Sequence, residues 1–480
     1  MLPPYDDLRG FLRVLESEHQ LLRITRPVRP EPDLGAAGRA VANLDGATAP
    51  ALLFDNIDGY ENATVALNVH GSWANHALML GLPKQATVRD QFHELAARWE
   101  KFPVPVERRE TAPWQEITVS QGINLFELLP LFRLNPGDGG PYIDKAAVIT
   151  RDVSAPGGHA KPNVGMYRIQ VKGPDHLGLQ SAAVHDFSRH VRAAEDREAE
   201  DRGAGMPVVI AIGNDPVLSL AAGTPLEYGQ PEYEMAGAWR GGVPYPVVRA
   251  PLTGLDTPWG AEIVLEGEVL DGVREFEGPF GEFTGFYSGG RSLPVVRVQR
   301  VHMRRNPIFE HLYLGIPWTE IDYLIALNTS VPIYQQLKAA FPEVQAVNAM
   351  YTHGLVTIIS TKVRHAGFGR VVGLRALTTP HGIGYCKVVI VVDDTVDPFN
   401  LEQVMWALST RFNPEFDAVS IPRMHEIPLD PAGHPPGVTA RLVLDATTAV
   451  PPDRRGEQSR LITPYPEATE WERILREMPR

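Results

Sequence analysis

The chain contains a single cysteine, Cys386, among 480 residues. This excludes an internal disulfide and every site built on several thiolates, so any metal must be held by oxygen and nitrogen ligands. No stretch approaches the roughly 20 uninterrupted apolar residues of a membrane span. The opening MLPPYDDLRGFLRVLESEH places acids where a secretory leader carries basic and then apolar residues, so a cytoplasmic protein is expected. There is no basic run: 45 Lys and Arg against 58 Asp and Glu give a formal charge of −13. That balance argues against nucleic acid as the main partner and requires a local positive site for any anionic ligand. The motifs G-x-x-x-x-G-K-[ST], H-E-x-x-H and G-x-S-x-G are missing. Gly367, Gly369 and Gly373 miss the dinucleotide fingerprint by one residue and read as turn glycines.

What is present is ordinary globular material, 44% hydrophobic and 21% charged, in a chain long enough for two or three domains. Asp6 and Asp7 precede Leu8, Phe11, Leu12 and Leu15, the apolar face of an amphipathic first helix. Strand-like ALLFDNIDGY and TVALNVHG and helix-like VRDQFHELAARWEKF complete an N-terminal α/β unit over residues 1–115. From 116 to 305 short β-like runs punctuated by Gly and Pro dominate, as in a split β-barrel. Residues 306–480 return to α/β. KVVIVVDD reads there as a strand buried on both faces. DPFNLEQVMWALSTRF reads as a helix with Asp397 as N-cap, Pro398 at the first position, and Leu401, Val404, Met405, Leu408 and Phe412 on one face. The fold class is mixed α/β (α+β).

Three segments carry candidate chemistry. In REFEGPFGEFTGFYSG, Glu277 and Glu282 flank Gly278-Pro279-Phe280-Gly281. Residues five apart on a regular strand face opposite ways, but the Gly and Pro can turn the chain so that both carboxylates share a side. Paired carboxylates serve proton transfer when one holds a proton and the other does not, although taken alone a solvated acidic turn is the simpler reading. In NVGMYRIQVKGPDHLGLQSAAVH, Asn163 and His185 bracket a strand-like run containing Arg168. For Asn163 and Arg168 to reach one site the strand must bulge, at Gly165, or Asn163 must lie on the preceding loop. In PEYEMAGAWRG, Glu232 stands where a helix begins, a position that also suits simple pairing with the helix dipole.

The order and spacing of N-x-G-x-Y-R-x-Q, V-H-D, E-Y-x-x-A-G-A-x-R-G and E-G-P-F-G-E, together with GYCKVVIVVDDTVDPFNLEQ, resemble the UbiD-type family of non-oxidative decarboxylases that use prenylated FMN. The resemblance runs from DLRGFLRVLE to LVLDATTA. It implies that Asn163, His185 and Glu232 hold a divalent metal, Mn²⁺ or Mg²⁺, which also binds the flavin phosphate, with K⁺ as a candidate second cation. It also implies a catalytic network of Arg168, Glu277 and Glu282, with Glu282 as proton donor, and a phosphate contact from Lys387. An amide oxygen, a carboxylate and an imidazole form a mostly hard donor set that suits such a metal. Further implications are a flavin prenyltransferase of UbiX type as cofactor supplier and a homodimer, or larger homo-oligomer, through the C-terminal domain. His159, His176 and His190 fall outside the pattern and read as surface histidines. Related chains often carry an arginine where Ala74, Asn75 and His76 stand, so that segment is given no role.

The expected reaction is reversible loss of CO₂ from a small carboxylic acid at an sp² carbon. An electron sink is needed for such a step, and no side chain provides one. In the branch acting on hydroxybenzoates a lid stretch resembles W-T-E-H-D, whereas this chain has Trp318-Thr319-Glu320-Ile321-Asp322. Because Ile321 cannot bind a phenol hydroxyl, an α,β-unsaturated or heteroaromatic acid is expected, with a hydroxybenzoate or catechol acid as the alternative. A plain FMN oxidoreductase and a metal-stabilised assembly protein without catalysis are the rival classes.

Overall fold

The computed structural model describes residues 5–154, 162–182, 185–196, 205–457, 461–463 and 465–478; His159 lies outside them. The first helix, Leu8–Ser17, forms as its pattern predicts. The Asp7 carboxylate accepts from Gly10 N at 2.7 Å, and Leu8, Phe11, Leu12 and Leu15 are buried. This helix packs beside a four-stranded sheet made of Leu21–Ile24, Ala51–Phe54, Thr64–Leu67 and Ile308–Glu310. The last strand comes from far along the chain and runs parallel to Thr64–Leu67. The polypeptide therefore returns to its first sheet after completing the middle one.

The middle sheet has nine strands, dominated by the long antiparallel pair Ile263–Glu277 and Arg291–Met303. One end of its strand path is Tyr142–Ile143 beside Ile169–Val171, and the other end is Pro162–Met166 beside Ala146–Arg151. Only Tyr167 and Arg168 separate Pro162–Met166 from Ile169–Val171. Strands at opposite ends of the path can be joined by two residues only if the sheet curls until its ends meet, which is the expected split barrel.

The C-terminal sheet has the order Val344–Tyr351, Val356–Thr361, Val388–Asp393, Val438–Asp445, Ala418–His425. Val388–Asp393 lies at its centre, parallel to both neighbours and almost wholly buried, as its unbroken apolar run predicts. The helix that follows begins later than its sequence suggests. It spans Leu401–Arg411 with Asn400 as N-cap, because the Asn400 side chain accepts from Gln403 N at 3.1 Å while Gln403 turns back to accept from Asp397 N. Asp397 instead closes a turn onto Phe399 N. Val404 and Ala407 are buried, but Leu401 and Met405 are exposed in the single chain, so the expected apolar face is only partly covered. The main apolar core is continuous through all three units. No helix among the described residues is long and apolar enough to cross a membrane.

Candidate active site

The two-residue junction between the sheet ends supplies the centre of the site. Arg168 lies in that gap, released from strand geometry, so the strand ends after Met166 rather than bulging at Gly165. Its guanidinium donates to Glu277 from Nε at 2.8 Å and from Nη2 at 2.7 Å, a bidentate fork, and Nη1 donates to Glu282 Oε1. All three residues are buried. The arginine thus bridges both carboxylates. A planar guanidinium suits this arrangement because its donors diverge in one plane.

The turn between the two glutamates is set by close backbone approach. Gly278 and Gly139 face each other so tightly that a Cβ built on Gly278 would stand 2.6 Å from Gly139 Cα. Any larger residue at either position would push the two segments apart. Gly139 N donates to Pro279 O at 2.7 Å, Gly281 N donates to Asp138 Oδ1 at 2.8 Å, and Tyr142 Oη donates to Gly278 O at 3.1 Å. Burial and the neighbouring Glu277 charge raise the Tyr142 pKa, keeping it a hydrogen-bond donor. Phe280 lies under the Arg168 guanidinium, 5.4 Å from its ring centroid. Sequence reasoning did not pick out Asp138, Gly139 or Tyr142, which act on this turn from more than a hundred residues away.

Asn163, His185 and Glu232 come from three different elements. Asn163 lies within the strand Pro162–Met166, His185 caps the helix Asp186–Glu195, and Glu232 is the first residue of the helix Glu232–Trp239. Val164 N donates to Glu232 Oε2 at 2.8 Å, which ties the first and third together, and the Tyr167 ring lies 5.8 Å from the His185 ring. Burial pushes the Glu232 carboxyl up to about 8, with no cationic side chain paired to it among the described residues. Burial also lowers His185 to about 4, leaving a neutral imidazole at neutral pH. One amide atom of Asn163, Nδ2, is buried without a hydrogen-bond partner, and an amide flip would put the oxygen there. A buried carboxylate lacking a counter-charge, a neutral imidazole and an unpaired amide are the donor set a hard divalent cation would complete.

Lys387 lies just before the central strand Val388–Asp393 of the C-terminal sheet. Its ammonium pairs with Asp430 Oδ2 at 2.7 Å, which satisfies the charge expected to meet a phosphate. Ile321 is buried on the short helix Glu320–Leu324. His190 is not a surface residue: it is buried, with Nδ1 2.9 Å from Thr150 Oγ1, whereas His176 is half-exposed beside Asp175.

Residues just before Ala74, together with Lys145, anchor the lid stretch. Asn68 N and His70 N donate to Glu320 at 2.8 and 3.0 Å, and Lys145 Nζ lies 2.5 Å from Glu320 and 2.8 Å from Glu310. Burial opposes ionisation of Glu320, but Lys145 and His70 prevail and draw it down to about 2. Glu310, with fewer partners, is pushed by the same burial up to about 7. Glu320 thereby connects the N-terminal sheet, the barrel and the stretch carrying Trp318 and Ile321.

Comparison with known proteins follows the same three units. The N-terminal, Rift-related and C-terminal domain models of 3-octaprenyl-4-hydroxybenzoate carboxy-lyase match residues 12–95, 106–317 and 322–446. The chain is 58% identical to a phenolic acid decarboxylase of Bacillus subtilis (strain 168), over 99% of each protein. The closed form of the vanillic acid decarboxylase of Sedimentibacter hydroxybenzoicus superposes with a TM-score of 0.91 at 53% identity, covering 98% of both chains. An evolved dimeric form of the UbiD-class enzyme HmfF from Pelotomaculum thermopropionicum, solved in complex with prenylated FMN, superposes with a TM-score of 0.81 at 28% identity, over 97% of this chain and 98% of that one.

Proposed function

Since the chain belongs to the UbiD family of carboxy-lyases, we propose that it is a prenylated-FMN-dependent decarboxylase of hydroxybenzoate-type phenolic acids. The observation that carries the chemistry is the buried Arg168 bridge between Glu277 and Glu282. The observation that carries the substrate class is the extent of similarity to phenolic acid decarboxylases, and it favours the hydroxybenzoate alternative over the unsaturated or heteroaromatic acid suggested by Ile321. A single apolar lid residue excludes one route to the phenol hydroxyl, not the hydroxyl itself.

In this reading the bound prenylated flavin supplies the electron sink for the pair left as CO₂ departs. The chain's own residues orient and protonate. Arg168 aligns the substrate carboxylate while its fork holds Glu277 in place. Glu282, having taken a proton from solvent and loosened its bond to Nη1, delivers that proton to the ring carbon that has lost CO₂. The carbon–carboxylate bond breaks, a carbon–hydrogen bond forms, and the net change is exchange of CO₂ for H⁺.

Asn163, His185 and Glu232 fit a divalent Mn²⁺ or Mg²⁺ that would neutralise the flavin phosphate. His185→Ala and Glu232→Ala are then expected to lower metal and flavin content together, with the fold retained. Metal analysis and the flavin absorbance of the purified variants check this, and unchanged metal content in both would remove them as ligands. The exposed Leu401, Met405 and Trp406 support a homodimer through the C-terminal domain.

The substrate class is tested with a panel of hydroxybenzoates, catechol acids, cinnamates, branched alkenoic acids and furan or pyrrole carboxylates. Hydroxybenzoates are expected to turn over fastest. A clear preference for cinnamates or heteroaromatic acids would overturn the proposal and restore the reading based on Ile321.

A further inference from the structure

If the substrate is a phenolic acid, its hydroxyl needs a partner that Ile321 cannot supply. A buried hydroxyl without one is penalised, so a polar group elsewhere on the wall is required. The turn Thr352-His353-Gly354 between the strands Val344–Tyr351 and Val356–Thr361 carries such a group.

Its backbone is unusual. Thr352, His353 and Gly354 have φ values of 47°, 57° and 93°, three consecutive residues in the left-handed region. A β-branched residue avoids this region, so a fold that keeps Thr352 there holds the turn by other contacts. Those contacts are visible. His381 Nε2 donates to the His353 carbonyl at 3.1 Å, and His353 Nδ1 is 3.2 Å from Thr329 Oγ1. The Tyr385 ring stands edge-on to His353 with centroids 4.4 Å apart, while His381 stacks on Tyr385 with an interplanar angle of 4°.

The constrained imidazole borders the candidate active site. Phe283, next in sequence to Glu282, meets His353 edge-on with ring centroids 5.8 Å apart. Trp318 of the lid stretch packs on Tyr351, two residues before His353, also at 5.8 Å. Burial first, and then the nearby His381 and His185, hold His353 well below its ordinary pKa, so it is a neutral ring. With Nδ1 engaged by Thr329, Nε2 has no hydrogen-bond partner among the described residues. Whichever nitrogen carries the proton, Nε2 can accept from a phenol or donate to a phenolate.

We propose that His353 Nε2 binds the phenol hydroxyl of the substrate and so takes the part in specificity that a histidine in the lid would otherwise play. This rests on the phenolic-acid reading above. Thr329 and His381 are positioning residues, one setting the ring and the other the backbone.

The test is equilibrium binding of 4-hydroxybenzoate and benzoate to the flavin-loaded enzyme, with flavin content and thermal midpoint measured alongside. The parent should bind 4-hydroxybenzoate about tenfold to a hundredfold more tightly than benzoate. In His353→Leu that preference should fall to within about twofold while benzoate affinity is kept, because only the hydroxyl contact is removed. His353→Gln, whose amide nitrogen reaches the place of Nε2, should restore much of the preference. His353→Asn, which mimics only Nδ1, should not. If His353→Leu fails to fold, the Gln and Asn pair decides: equal preference in both overturns the proposal, as does a parent-like preference in a folded His353→Leu. No preference for the hydroxyl in the parent would instead overturn the phenolic-acid reading, and so the two failures are told apart.

Discussion

Glu282→Gln is expected to lower decarboxylation by roughly 10²–10⁴-fold, the range over which a positioned general acid contributes, while flavin content stays at the parent level. The amide keeps the shape of the carboxyl and can still face Arg168 Nη1, but it has no acidic proton to give. Glu277 remains bidentately bound by Nε and Nη2, so the guanidinium does not lose its orientation. Single-turnover measurements at matched flavin occupancy check this, and activity within a few-fold of the parent would assign proton delivery to another group. The same substitution separates the rival classes. A plain flavin oxidoreductase would tolerate it and would show bleaching of its flavin by a nicotinamide donor.

Lys145→Met should destabilise the protein by about 3–5 kcal/mol, the cost of removing one partner from a buried charge pair. The methionine matches the lysine stem in length but leaves Glu310 and Glu320 facing each other, both fully buried and without their shared cation. The remaining partners of Glu320, Asn68 N, His70 N and the nearby His70 ring, offset only part of that charge. Chemical denaturation of the parent and the variant measures the difference. Adding Glu310→Gln and Glu320→Gln to Lys145→Met should recover much of it, because the carboxylates are then neutral. Failure of the triple variant to recover would place the loss in packing instead of charge.

Sequence patterns read well where one residue type in one period determines the outcome. The burial of Leu8, Phe11, Leu12 and Leu15, the central position of Val388–Asp393 and the curled middle sheet follow from local periodicity and turn residues. The convergence of Glu277 and Glu282 was legible because Gly278-Pro279 interrupts the strand, although its cause, the facing Gly139, is remote in sequence. The helix start at Leu401 was misplaced because Asp397 and Asn400 are both competent caps, and the Gln403 side chain decides between them. Lys145, Glu310 and Glu320 stayed hidden because each is an ordinary charged residue until the fold brings three segments together. His190 was misjudged for the same reason: polarity in a helix does not reveal which side faces a strand. His353 carried one faint signal, a glycine after it at a hairpin end, which cannot distinguish a plain turn from an aimed side chain.

The junction at Tyr167 and Arg168 has a consequence for chain length. Here the number of residues between two strands sets both how closely the sheet ends meet and the direction in which the arginine leaves them. One residue more would let the sheet ends part or turn the guanidinium away from Glu277, and one fewer could not span the gap. This is therefore a point at which the chain can accept changes of side chain but not of length, and the spacing between Met166 and Ile169 is as much a part of the site as the charge of Arg168.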